Sequence, residues 1–194
     1  MIGGFLEDTD SLLESLCLVK DEIDMPRVIH VGDRTSSPTS LTIRAVSPAD
    51  VSSWRLLRHM LWPNASADDH VRETGQLLAE PDRYAMAIAV SSRGEALGFA
   101  EAAIRYDYVN GCDTSPVLFL EGIYVVPGMR NQGIARALCT SIEQWGASRE
   151  CKEFASDTSI DNVDAQALHR ALGFDETERV VFFRKRSLTR ALRR

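Results

Sequence analysis

The chain has 194 residues, 44% of them hydrophobic, and 22 basic against 28 acidic side chains for a net charge of -6. That length suits one folded domain with an appendage, and the apolar content is enough for a core. No apolar run approaches the ~20 residues of a membrane span, and an acidic body argues against nucleic acid and for a cationic small molecule.

Residues 1–40 read differently from the rest, with eight acidic and three basic side chains. They lack the basic flank and long apolar run of a secretory signal, as suits a cytoplasmic protein. An acidic amphipathic stretch, Asp10–Glu22, precedes Arg34-Thr35-Ser36-Ser37-Pro38-Thr39-Ser40, a flexible linker by composition. The division is therefore 1–40 as an extension and 41–194 as the domain, beginning at Leu41.

Leu41–Val46 alternates as a strand does. Ser47-Pro48-Ala49-Asp50 offers an N-cap, a proline at the first helical position and a first-turn carboxylate. Val51, Trp54, Leu57 and Leu61 continue at helical spacing until Trp62-Pro63, where proline stops the helix. A second helix is expected over Asp68–Ala79, then a hairpin of Tyr84–Val90 and Ala96–Arg105. The polar loop Asp107–Pro116 leads into an apolar strand over 117–126. A helix over Ile134–Arg149, a short strand Glu153–Asp157, a helix over 162–172 and a last strand over 177–186 complete a mixed α/β sheet without internal repeats. Residues 179–194 hold seven basic side chains and no acid, a solvated terminus by pattern. Cys17, Cys112, Cys139 and Cys151 show no paired spacing, so they read as reduced thiols. His30, His59, His70 and His169 lack ligand spacing with carboxylate or cysteine partners, and no metal is expected.

Arg130-Asn131-Gln132-Gly133-Ile134-Ala135 is the most informative stretch, lying between an apolar strand and an amphipathic helix. A strand, a glycine-bearing turn and a helix aim several backbone N–H groups at one point, where the macrodipole adds positive charge suited to a pyrophosphate. Gly133 allows close backbone approach, and Arg130 can pair with a phosphate in a bidentate way. Arg-x-x-Gly-x-Ala here, with Leu172-Gly173-Phe174 ending a later helix, resembles the acyl-CoA-binding pattern of the GCN5-related N-acetyltransferase (GNAT) superfamily. That resemblance implies a sheet whose two central parallel strands splay to admit acetyl-CoA. It also implies cofactor contacts from Ile123, Tyr124, Val125, Arg130, Asn131, Gln132, Gly133, Ile134, Ala135, Arg136 and Asn162.

Leu61-Trp62-Pro63, the run Ile104–Asp113, Phe119-Leu120-Glu121-Gly122-Ile123, Ala155-Ser156-Asp157-Thr158-Ser159 and Glu176-Thr177-Glu178-Arg179-Val180 narrow the match. Over roughly 41–187 the chain resembles the aminoglycoside 6'-N-acetyltransferases of the chromosomal enterobacterial and Acinetobacter type. The resemblance implies direct attack of a neutral amine on the thioester, and a homodimer formed through the last strands. It implies that Glu121, Asp157 and Glu178 surround the substrate amines and that Trp62 and Tyr108 offer flat faces to sugar rings or an ammonium.

The residues leave several choices open. Glu121, inside an apolar strand, either faces a cleft or pairs with an arginine at the sheet edge, and Asp157 either serves the amine or caps a loop. Trp62 suits a core position as well as a ligand face, and Glu178 beside Glu176 also suits a solvated face. Asp157 acting directly is favoured over Glu121 acting through water as general base. His169 stands where many superfamily members carry a tyrosine acid, and reads either as a donor to the leaving sulfur or as a surface helix histidine. A polyamine or protein amine suits the acidic cleft as an alternative substrate. A non-catalytic acyl-CoA sensor is disfavoured by the intact Glu121, Asp157, Arg130 and Gly133.

Overall fold

The computed structural model describes residues 41–185. The expected acidic helix of Asp10–Glu22 and the linker lie outside the described residues, as does the chain after 185. Five strands run in the order β1-β2-β3-β4-β5: β1 (Leu41–Ala45), β2 (Tyr84–Ser91), β3 (Ala96–Arg105), β4 (Val117–Val125) and β5 (Phe154–Ser156). The first three pairings are antiparallel, and β4 with β5 is parallel. Helices α1 (Val51–Leu61) and α2 (Ala67–Ala79) follow β1, α3 (Ile134–Ser148) joins β4 to β5, and α4 (Val163–Leu172) follows β5.

The alternation of β2 shows why both sheet faces are buried. Ala85, Ala87 and Ala89 point to the layer that holds Leu138, Ile142 and Trp145 of α3. Met86, Ile88 and Val90 point to the opposite layer, against Trp54 and Leu57 of α1. The period of two sends the small side chains of β2 under α3 and its larger ones under α1.

Ser47, Pro48 and Asp50 open the first helical region as their types suggest, through a 3-10 turn over Pro48–Asp50 that runs into α1. The Asp50 carboxylate accepts from the backbone N–H of Ser47 at 2.8 Å and from its hydroxyl at 2.5 Å. Arg44 of β1 adds a fork, with Nη2 donating to Oδ1 at 2.8 Å and Nη1 donating to Oδ2.

The expected last strand over 177–186 is corrected: residues 174–185 form no strand. Val181, Phe182 and Phe183 are 77%, 84% and 93% exposed. Four consecutive apolar side chains, Val180 to Phe183, are apolar on both faces, so a strand there needs a second sheet edge and cover on each side. The free edge of β5 is only three residues long, and among the described residues nothing covers these side chains.

Burial opposes ionisation of Asp50, and the donors on Arg44 and Ser47 override it, holding the carboxyl at about 2. A carboxyl depressed below its unfolded value contributes stability above that value and loses it as pH falls through the folded one. Asp50→Asn is expected to cost about 1 kcal/mol at neutral pH, the scale of a helix cap. Thermal melts should show the gap between variant and wild type closing from about pH 4 to pH 2.

Candidate active site

The site is built where β4 parts from its neighbours. Across β3, Glu101 opposes Gly122 and Ala102 opposes Leu120, which leaves Glu121 as the extra residue of a β-bulge. Across β5, pairing runs Leu118–Phe154, Phe119–Ala155 and Leu120–Ser156 and then stops. Glu121 and Asp157 are therefore the first residues past the last pair, on adjacent parallel strands. From Glu121 to Val125, β4 has no paired strand on its β5 side, which leaves a gap in the sheet there.

At the other end of that gap the chain passes a 3-10 turn, Pro127–Met129, then extended Arg130 and left-handed Asn131 at φ 61°. Gly133, at φ 81° and ψ 0°, is the N-cap of α3. A side chain at that φ is strained, so the turn requires glycine. The amides of Ile134, Ala135 and Arg136 open α3 in its first turn, where no intrahelical carbonyl is available to them. With the macrodipole they make an anion-receiving corner. Arg130 is exposed at this corner, its Nε donating to the Val125 carbonyl at 3.0 Å and its guanidinium 5.7 Å from the Tyr124 ring. Gln132 is also exposed, its amide 3.4 Å from the Gly128 carbonyl, while Arg136 donates to the Ala171 carbonyl and ties α3 to α4. Asn162 caps α4, with Oδ1 accepting from the Ala165 N–H at 3.1 Å.

The carboxylates differ in their surroundings. Glu121 is bound side-on by Arg105, whose Nη2 lies 2.9 and 3.0 Å from its two oxygens, and both side chains are partly exposed. The two readings of Glu121 thus coexist: it is paired with an arginine and it borders the gap. Asp157 is exposed past the end of β5. Glu178 follows Thr177, which packs so closely on Gly111 that an added Cβ there would lie 2.1 Å from the threonine hydroxyl. That contact seats the segment carrying Glu178 against the loop carrying Tyr108, which is 79% exposed. Glu153 pins the same loop by accepting from the N–H groups of Asp113 and Thr114, at 3.0 and 2.6 Å, and from the Thr114 hydroxyl. Those donors, the hydroxyl foremost, hold its carboxyl below the ordinary range.

Of the two readings left open for His169, the exposed surface histidine is not the one the structure shows: the ring is half-buried on the side of α4 that faces β5. Its Nδ1 lies 2.7 Å from the Ala165 carbonyl, which only accepts, so Nδ1 carries a proton. Its Nε2 lies 2.9 Å from the Ser156 hydroxyl, which is itself 3.2 Å from the Leu120 carbonyl. The hydroxyl has one proton to give, to the ring or to the carbonyl. His169 is thereby fixed at the point where β4 and β5 separate.

The sequence matches the model of the acetyltransferase (GNAT) family over residues 52–174. It is 48% identical over 146 residues to the aminoglycoside N(6')-acetyltransferase type 1 of Salmonella enteritidis, spanning 75% of this chain and 99% of that one. Two solved structures of the aminoglycoside N-acetyltransferase AAC(6')-Iy share the fold. One, in complex with the bisubstrate analog CoA-S-monomethyl-acetylneamine, superposes with TM-score 0.72 at 48% identity, covering 76% of this chain and 99% of that one. The other, in complex with CoA, gives TM-score 0.75 at 45% identity, covering 79% and 100%.

Sequence reading missed a buried charge network beside the gap. Glu101 of β3 accepts from Trp54 Nε1 at 2.8 Å and is paired with Arg58, which also reaches Glu73. The signal was present, since Glu101 interrupts an apolar strand as Glu121 does, and Trp54, Arg58 and Trp62 recur every four residues on one helix face. Burial pushes the Glu101 carboxyl up to about 7, against the pull of Arg58 and Trp54. The unfolded chain releases this proton near 4.5 while the folded protein holds it to about 7, so the group makes stability fall as pH rises through that interval. Urea unfolding should show Glu101→Gln lacking that falling component between those two pH values, with the wild type closest in slope above pH 7.

Proposed function

The chain belongs to the acetyltransferase (GNAT) family, and from that premise we propose that it acetylates the 6'-amine of aminoglycosides by direct transfer from acetyl-CoA, conferring resistance. It is an acyltransferase that uses acetyl-CoA as co-substrate. One observation carries the substrate reading: the anion-receiving corner at 130–136 and the carboxylates Glu121 and Asp157 border a single gap beside β4. One end suits a pyrophosphate and the other a polycation.

The residues fit the co-substrate, which supplies an acetyl carbon activated by a thiolate leaving group. The first-turn amides of α3, with Arg130, Asn131 and Gln132, receive its phosphates, and Gly133 admits them closely. Ile123, Tyr124 and Val125 border its pantetheine arm from β4, and Asn162 does so from the start of α4. Asp157, exposed and next to the gap, takes the proton of the attacking amine, while Glu121 acts through its charge or through water. A backbone N–H near Ile123 serves the oxyanion. His169, joined through Nε2 to Ser156 at the mouth of the gap, serves as the acid for the departing thiolate in its imidazolium form, giving up a second proton carried on Nε2 while Nδ1 keeps its own on the Ala165 carbonyl. Trp62, Tyr108 and Glu178 line the substrate side.

We also propose residues 41–194 as the catalytic domain, 1–40 as an extension and a cytoplasmic location. The further proposal of a homodimer is supported by the exposed Val181, Phe182 and Phe183, which a second copy would cover. Among the described residues no helix is long and apolar enough to cross a membrane, and no cluster of three or more potential metal ligands occurs.

Thiol release from acetyl-CoA is expected with kanamycin A and not with its 6'-hydroxyl analogue. Turnover of spermidine instead would replace the aminoglycoside by a polyamine. Asp157→Ala should lower kcat by about a hundredfold, the scale of a lost general base, with acetyl-CoA affinity by titration calorimetry unchanged. Equal loss of acetyl-CoA binding would remove Asp157 from the role.

A further inference from the structure

We propose that the buried Arg58–Glu101 pair positions Trp62 as a wall of the amine site, so that Arg58 sets affinity for the aminoglycoside without touching it. The inference rests on the function proposed above. Arg58 and Glu101 side chains are each 4% exposed, and the guanidinium divides its two terminal nitrogens between Glu101 and Glu73. Trp54 holds the other oxygen of Glu101, so the carboxylate has no freedom to turn away. The guanidinium carbon sits 4.8 Å from the Trp62 ring and 5.8 Å from the Trp54 ring, between two indoles of one helix face.

Trp62 needs such support. It follows the last residue of α1 with non-helical φ −121° and ψ 70°, and Pro63 ends the helix after it. Its ring lies on Gly122 so closely that a Cβ there would stand 2.5 and 2.6 Å from ring carbons. Gly122 is opposite Glu101 across β3 and β4 and next in sequence to Glu121. The ring also meets Phe99 edge-on at 6.1 Å, so it is held between Arg58, Phe99 and the β4 backbone, beside the carboxylate at the bulge. Stability does not account for this arrangement, because a well-packed apolar pair in its place would serve as well or better. Arginine rather than lysine is required, since only a planar fork can bind two carboxylates and stack on an indole at once.

Steady-state kinetics of the full chain test the inference with two variants that reach Trp62 from opposite sides. Arg58→Lys keeps the buried positive charge and loses the fork, whereas Gly122→Ala displaces the ring and leaves the ion pair intact. Each is expected to raise KM for kanamycin A about tenfold, the scale of one lost aromatic or cation–π contact. KM for acetyl-CoA should stay within about twofold, because a general loosening would move both constants. Unchanged KM for kanamycin A in either folded variant, or an equal rise in both KM values, overturns the inference. If Arg58→Lys does not fold, Glu73→Gln, which takes a partly exposed carboxylate from the Arg58 fork, stands in its place and is read by the same two KM values. Wild-type protein that turns over no aminoglycoside removes the functional reading itself, whereas a working wild type with unmoved variants removes only the positioning role.

Discussion

Everything at this site depends on β4 and β5 bonding over three residue pairs and no further. Parallel strands that stayed paired would close the sheet and leave no room for a ligand beside the backbone of β4. Two features mark the parting: the bulge at Glu121 on the β3 side of β4, and the return of the chain to β5 through α3 from a corner beyond Val125. The Ser156 hydroxyl bridges to Leu120 and His169 at the point of separation, so side chains take over where ladder bonds end. The same parting exposes the start of α3 at one end and two carboxylates at the other.

Charge in the gap is arranged to be competed for. The Arg105–Glu121 pair is partly exposed, and such pairs contribute little. In the function proposed above, an ammonium of the substrate would share or take Glu121 at small cost. Arg58 and Glu101 are the reverse case, buried and locked to several partners. The first pair is available to a ligand and the second belongs to the frame. Sequence reading separates them poorly, because each is an acidic residue inside an apolar strand.

Local chemistry was legible and long-range packing was not. The alternation of Leu41–Val46, the apolar run Tyr84–Val90 closed by a turn-forming loop, and the helical spacing of α1 and α3 announced the elements because each pattern is complete within its own segment. The corner at 130–136 was legible for the same reason: the glycine, the arginine and the helix start are contiguous. Glu121 and Asp157 were found through family resemblance, and only the register explains why they stand together. The last strand failed because a run of apolar residues records a wish for cover and not its source. Arg58 and Glu101 lie 43 residues apart, and nothing local to either names the other. The placement of His169 could not be read from the sequence, because the side of α4 that faces β5 is set by packing around Phe154 and Phe174.

This gap is proposed to present one amine of an aminoglycoside to acetyl-CoA. Nuclear magnetic resonance of the product from kanamycin A and carbon-labelled acetyl-CoA tests it most directly. A single acetyl group on the 6'-nitrogen is the expected result. Acetylation at another amine, or a mixture over several, would contradict the geometry that Glu121, Asp157 and Trp62 are argued to impose.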